Sequence, residues 1–238
     1  MRDVVHDFGD GTTVLRHEDL VMVVAGNACL AAFYPDDPTI MRRRYSLNLA
    51  ELAVVGHRAF GGGILHLGGS GLSVARGLAG AGIGPHTVVE IDMAKTRWLV
   101  DKYPIDAELT LIDGDARHYA DLVTTHPVAI LDLTIGPLDP ESAGLYVQLI
   151  TELAERSHGE CLILSNVHLH PKFMHGLVRT ILAHPSPPLL WASESAVKGE
   201  EGSALLAWTA DSDVMATLAS LEWDTWSLIQ HHHSPSPE

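Results

Sequence analysis

The residues of this chain whose types and spacing suit chemistry are one glycine-rich turn and a set of carboxylates, each following an apolar run. The turn is Gly68-Gly69-Ser70-Gly71-Leu72-Ser73, directly after Ile64 to Leu67. The acids are Glu90 after Val88-Val89, Asp113 and Asp115 in Asp113-Gly114-Asp115-Ala116, and Asp132 after Val128 to Leu131. A glycine turn lets backbone approach a ligand closely, and a carboxylate at the end of the next strand can accept from ribose hydroxyls. A carboxylate beside a backbone N–H, as in Asp115 and Ala116, can read the amine edge of adenine. Asp115 also suits the cap of a following helix, a role compatible with the first, and Asp92 reads as the cap of the next helix along. The turn is not a full G-x-G-x-x-G, because Ser73 holds its sixth position. That departure favours a nucleoside with a short tail over a dinucleotide.

These residues need a scaffold that gathers strand ends. Residues 1–40 read as a small β domain, with runs Thr12 to Leu15, Leu20 to Ala25 and Ala28 to Phe33 closed by Pro35-Asp36-Asp37-Pro38. Apolar spacing predicts a helix over Thr39 to Val55, opened by Asp37-Pro38-Thr39. Strands are then predicted at Ile64 to Leu67, Val88 to Ile91, Ala107 to Ile112, Val128 to Asp132 and Glu160 to Ser165. Helices are predicted between them, including Ala94 to Val100, Ala116 to Leu122 and Ser142 to Ser157. This alternation predicts a parallel α/β sheet covered on both faces over residues 41–230. Leu189 to Ser195 and Ser203 to Thr209 read as an antiparallel hairpin at the sheet's edge. Residues 231–238, with His231 to His233, read as a mobile tail without a metal site.

Composition narrows the partners. The chain has 238 residues, 30 acidic against 15 Lys and Arg, and a formal charge of −15. That balance opposes a nucleic-acid partner. No apolar run approaches the roughly 20 residues that span a bilayer, and the amino-terminal residues lack the apolar core of a secretion signal. The expectation is a cytoplasmic protein that binds neither nucleic acid nor membrane and acts on a small molecule. Cys29 and Cys161 have no second cysteine nearby and read as small core residues. His66, inside the first strand of the parallel set, reads as a satisfied core residue. On the acceptor side, Tyr45, Asp132, Thr134, Asn166, His168 and His170 are candidates, the last three after the fifth parallel strand, where a histidine could act as a base.

The runs Ile64 to Arg76, Val89-Glu90-Ile91-Asp92, Gly114-Asp115-Ala116, Ile130-Leu131-Asp132 and Gly136-Pro137 through Leu149 resemble, in order and spacing, the spermidine synthase-like family. Gly26-Asn27-Ala28 and the stretch from Asp36 to Tyr45 extend the resemblance upstream. It implies a class I methyltransferase-like Rossmann sheet with a small N-terminal β-hairpin domain, and S-adenosylmethionine or decarboxylated S-adenosylmethionine as cofactor. It also implies a pairing of subunits into a homodimer. The cofactor residues it implies are Gly68, Gly69, Gly71, Glu90, Ile91, Asp115, Ala116 and Asp132, with Glu90 on the ribose and Asp115 on the adenine amine. Asp132, Tyr45 and His168 would orient the acceptor.

The departures from that family concern the acceptor. Its aminopropyltransferases carry an acid in the glycine loop, where this chain has Ser70-Gly71, and a second aspartate after the fourth strand. Here Asp132-Leu133-Thr134-Ile135-Gly136-Pro137 is two residues shorter and keeps only the first; the hairpin's glutamine is replaced by Leu30. A protonated polyamine needs carboxylates to bind its charged ends and to accept a proton. The expected activity is therefore alkyl transfer to a small acceptor other than an ordinary polyamine. The alternatives are a methyltransferase, an enzyme acting on the cofactor's own aminocarboxypropyl arm, and a noncatalytic nucleoside-binding homolog.

Overall fold

The computed structural model describes residues 3–26, 28–41, 44–69, 72–133, 140–157, 161–169, 188–197 and 202–228. Four strands, β1 (Asp3–Asp7), β2 (Thr12–His17), β3 (Leu20–Ala25) and β4 (Ala28–Phe33), form an antiparallel sheet in sequence order. Alternation in β2 and β3 turns Val14, Val21 and Val23 inward, where they pack with Ala31, Phe33, Leu99 and Tyr103.

The second sheet carries the candidate chemistry. Its strands are β5 (Ile64–Gly68), β6 (His86–Glu90), β7 (Leu109–Asp113), β8 (Val128–Asp132), β9 (Leu162–Leu169), β10 (Leu189–Ser193), β11 (Gly202–Trp208) and β12 (Trp226–Leu228). They lie in the order β12-β10-β11-β9-β8-β5-β6-β7. The strands from β9 to β7 are parallel, and β11, β10 and β12 continue the sheet antiparallel. The helices are α1 (Arg44–Phe60), α2 (Ser73–Gly80), α3 (Met93–Lys102), α4 (Pro140–Arg156), α5 (Glu194–Val197) and α6 (Ser212–Ala219). Ile64, Val128, Ile130, Leu162 and Leu164 pack against Leu49, Leu52 and Ala53 of α1, Leu78 of α2 and Leu218 of α6. Leu65, Leu67, Ala129 and Leu131 pack on the opposite face against Leu149 and Leu153 of α4. Because both faces are covered, the central strands read as unbroken apolar runs rather than alternating ones. This is the expected α/β Rossmann-like sheet beside an antiparallel amino-terminal sheet.

Several boundaries differ from expectation. The amino-terminal sheet has a further strand, β1, and β12 lies outside β10, so the β10–β11 pair is not the sheet's edge. α1 starts at Arg44 rather than Thr39, because the preceding segment is spent on a turn. Ile40 N–H donates to Asp37 O at 3.1 Å, and Met41 bridges antiparallel to Phe33. In place of a helix over Ala116 to Leu122 there are two 3₁₀ turns, Ala116–His118 and Ala120–Thr124, with i→i+3 bonds such as Tyr119 N–H to Ala116 O at 3.1 Å. β9 extends to Leu169, pairing Asn166 with Leu205 and His168 with Ser203. Asn166 and His168 are thus strand residues, drawn into the ladder by β11, and not part of a loop after the strand. Ser70, Gly71, Thr134, His170 and the tail from 231 lie outside the described residues, and of His168 only the backbone is described.

Candidate active site at the carboxyl ends of the parallel strands

The chain lays down β5, then steps outward through β6 and β7, and returns to place β8 on the other side of β5. The order reverses between β5 and β8, and ligands of open parallel sheets settle at such a reversal, outside the carboxyl ends. Gly68 and Asp132 are register partners there, and Glu90 and Asp113 are partners one and two strands further out. Gly114 N–H donates to Glu90 O at 3.2 Å, extending the β6–β7 ladder to the edge of the site.

The glycine turn is shaped by close contact and by backbone conformation. A Cβ on Gly68 would meet Leu133 Cδ2 at 2.7 Å and Asp132 O at 2.9 Å, and its φ is +79°. Gly69 has a φ of +113°, and among the described residues nothing lies within 4 Å of where its Cβ would be. Glycine is the residue that adopts such angles without strain. Leu72 N–H closes the turn on Gly69 O at 2.6 Å, and Leu72 is buried to 2% exposure at the start of α2.

Two acids in this row differ sharply. Glu90 is half-buried, its Oε1 accepting from Asp92 N–H at 3.2 Å. Burial raises its pKa above the ordinary glutamate value, against the opposing pull of the Asp92 and Ile91 amides. Asp115 is held by Arg117: Oδ1 accepts from Arg117 N–H at 3.0 Å, and the guanidinium forks onto both carboxylate oxygens, Nε reaching Oδ2 at 2.9 Å. That fork holds Asp115 down at about 2. Its capping role is thus realised, while its side chain faces the cation of Arg117, two residues on. The spacing Asp115-x-Arg117 was the available signal. Between the two acids, Ile91 is 71% exposed, an apolar surface beside a carboxylate, and Ala116 is buried beneath the loop.

At the other end, Asn166 Nδ2 donates to Asp132 Oδ1 at 3.4 Å, tying β9 to β8 at the reversal. Tyr45 is half-buried in the first turn of α1, packed against the cluster on the α1 face of the sheet. His66 is 4% exposed with Nε2 3.1 Å from His86 Nδ1, and burial pushes both imidazoles below their ordinary pKa. Cys29 Sγ donates to Ala31 O at 3.3 Å, and burial pushes the Cys161 thiol up to about 11. Among the described residues no cluster of His, Cys, Asp and Glu could hold a metal ion, and no helix is long and apolar enough to cross a membrane.

These features fit an adenosyl cofactor. The left-handed glycine backbone at Gly69, a half-buried carboxylate one strand away and an exposed isoleucine next to it suit a nucleoside's tail, ribose and base in turn. No family model matches the chain, and no curated protein matches its sequence. Solved structures do. A probable spermidine synthase from Corynebacterium glutamicum superposes with a TM-score of 0.73 at 17% identity, covering 91% of this chain and 85% of that one. Spermidine synthase from Thermotoga maritima gives 0.62 at 15% identity, covering 90% and 75%. An rRNA methylase from Streptococcus thermophilus gives 0.51 at 12%, covering 71% and 98%. The first match leaves about a tenth of the chain uncovered, fewer residues than β1 to β4 span, so it includes part of the amino-terminal sheet. At these identities the likeness is one of fold: the chain has the methyltransferase-like Rossmann fold, joined to an antiparallel amino-terminal sheet.

Proposed function

We propose that the protein is a transferase that uses S-adenosylmethionine or its decarboxylated form to alkylate a small acceptor other than an ordinary polyamine. The observation that carries this reading is the row Gly68, Asp132, Glu90 and Asp113 along the carboxyl ends of β5, β8, β6 and β7, at the reversal of strand order. When bound, the cofactor's sulfonium would supply an activated alkyl group with a neutral thioether as leaving group. Glu90 would accept from the ribose hydroxyls, Ile91 would lie against the base, and Asp115 would accept from the adenine amine once Arg117 yields the carboxylate, while the Ala116 N–H would donate to the ring nitrogen beside that amine. Gly69 would keep a side chain out of the path of the cofactor's tail, and Gly68 lets the turn close against Leu133 and the Asp132 carbonyl. Asp132, steadied by Asn166, would orient the acceptor with Tyr45 or His168, and in-line positioning would do most of the work.

The acceptor side separates this reading from spermidine synthesis. Asp132 is the carboxylate at the end of β8, and the second acid of the aminopropyltransferase pattern is not in the sequence. The same absence keeps methyl transfer as a second reading, since a methyl acceptor needs no site for a polycation. Titration calorimetry with both forms of the cofactor, followed by mass spectrometry of products from candidate amines, tests the proposal. Heat with at least one form is expected. No heat with either refutes it in favour of a noncatalytic homolog, and production of spermidine would show that Asp132 suffices without a second acid. We further propose, on the same resemblance, that the protein acts in the cytoplasm as a homodimer; sedimentation at micromolar concentration should give twice the chain mass.

A further inference from the structure

We propose that Lys95 is a positioning residue that seats the β1–β2 turn of the amino-terminal sheet on the Glu90 loop, so that docking of this sheet sets the affinity of the nucleoside site. The inference rests on the cofactor reading above only for the ligand used to probe it. Its basis is a continuous chain of contacts. Glu90 Oε1 accepts from Asp92 N–H at 3.2 Å. Asp92 occupies the N-cap position of α3, yet its carboxylate makes no cap hydrogen bond. Its Oδ2 instead lies 2.5 Å from Lys95 Nζ, and the same ammonium lies 2.5 Å from Asp10 Oδ2.

Asp10 is rigidly presented. Its other oxygen accepts from Thr12 N–H at 2.9 Å, Phe8 N–H donates to Thr12 O at 3.0 Å, and Gly9 N–H donates to Asp7 Oδ1 at 2.8 Å. Trp98, one turn along α3 from Lys95, receives the same strand and turn: His6 stacks on it at 4.4 Å and Phe8 meets it edge-on at 5.7 Å. The ammonium itself is 5.9 Å from the Phe8 ring centroid and only 20% exposed. The turn therefore rests on the first turns of the helix that issues directly from Glu90, Ile91 and Asp92.

One cation between two carboxylates is a strained balance if it is removed. Without the ammonium, Asp10 and Asp92 would face each other with Glu90 close behind, and like charges at such separations repel. The turn would lift and the Asp92 amide would lose its fixed place under Glu90. Coupling of this kind is reciprocal, so filling the nucleoside site would in turn hold the amino-terminal sheet against α3. The charged groups around Glu90 are Asp92 and Lys95 on the α3 side and Asp113 beside it on β7, with Asp10 behind Lys95.

The test uses the full chain as wild type, Lys95→Met, Lys95→Arg and Asp10→Asn, with Glu90→Ala as control. Two quantities are read: the Kd for S-adenosylmethionine by calorimetry, and the titration midpoint of the Glu90 carboxyl carbon by NMR without ligand. Lys95→Met is expected to weaken binding roughly tenfold and to move the Glu90 midpoint upward, because a cation that favours the carboxylate has gone. Lys95→Arg should restore both, and Asp10→Asn should weaken binding less than Lys95→Met although it lies on the other sheet. A Lys95→Met protein with wild-type Kd and midpoint overturns the proposal. So does one that merely melts earlier while the Glu90 midpoint stays put, since that is a structural role. If the wild type binds no adenosyl ligand yet Lys95→Met still shifts Glu90, the cofactor reading fails and the link to Glu90 stands; if neither occurs, both fail.

Discussion

Glu90 and Asp115 sit on neighbouring strand ends of one crevice and have opposite electrostatic fates. Glu90 is half-buried, steadied by backbone amides, and held above its ordinary pKa by desolvation. Asp115 is gripped by the Arg117 fork and held at about 2. An acid whose charge is costly gains from any donor that reaches it, so Glu90 is ready for neutral hydroxyls. An acid whose charge is already matched gives up one partner to take another, so under the proposed function Asp115 would contribute less to binding than its position suggests.

The largest expected effect is on the Glu90 side. Glu90→Ala should weaken binding of the cofactor by about 3 kcal/mol, on the order of 100-fold, because a charged acceptor for two hydroxyls is lost. Glu90→Gln should melt at or above the wild-type temperature at pH 7, since removing a buried charge does not harm the fold. A calorimetric Kd unchanged in Glu90→Ala would remove the ribose role and with it the contrast.

Acid should separate the two carboxylates. As pH falls through the raised Glu90 pKa, affinity should drop by roughly tenfold per unit once Glu90 is protonated, while Asp115 remains ionised until its value of about 2 is approached. For stability the signs are opposite. The Glu90 penalty, present at neutral pH, is relieved as pH falls through its raised folded pKa. The Asp115 contribution, present above its unfolded value, is lost as pH falls through about 2. Binding isotherms across pH 4 to 8 that stay flat would break the comparison.

Asp115→Asn should cost roughly tenfold in affinity, less than Glu90→Ala. Arg117→Ala should tighten binding by roughly threefold, since an exposed ion pair of modest strength no longer competes for the carboxylate. Weaker binding in Arg117→Ala would mean that Arg117 holds the loop for the ligand rather than against it. The smallest effect is remote from both acids. Burial lowers the pKa of His66 and His86, so the unfolded chain binds their protons first and the melting temperature should decline as pH falls below about 6.5. Replacing His66 with Asn should flatten that decline if the pair is its source.

How much of this was legible varies along the chain for physical reasons. β8 falls where the run Val128 to Asp132 placed it, and β5 and β6 differ only at their ends, because strands covered on both faces declare themselves as apolar runs. Glu90 and Asp132 were legible as the acids that end β6 and β8, because an acid that ends such a run must meet solvent or a ligand. β1 was not, since Asp3-Val4-Val5-His6-Asp7 is too short and polar to outweigh a loop without β2 beside it. The late start of α1 escaped because the bridge from Met41 to Phe33 is a contact across the chain, not a local preference. Asn166 and His168 read as a loop because their strand is completed only by β11, some forty residues on in sequence.

By itself the sequence determined the alternation of strands and helices, the glycine turn and the acids at the strand ends, because each is written in short-range periodicity and in residue type. Only the tertiary structure decided what those acids are: Glu90 raised by burial and tied through Asp92 and Lys95 to Asp10 on the other sheet, Asp115 claimed by Arg117, Asp132 joined to Asn166. The reason is that a carboxylate's charge depends on which dipoles, cations and water surround it, and those neighbours are brought in by folding from residues 10 to 166.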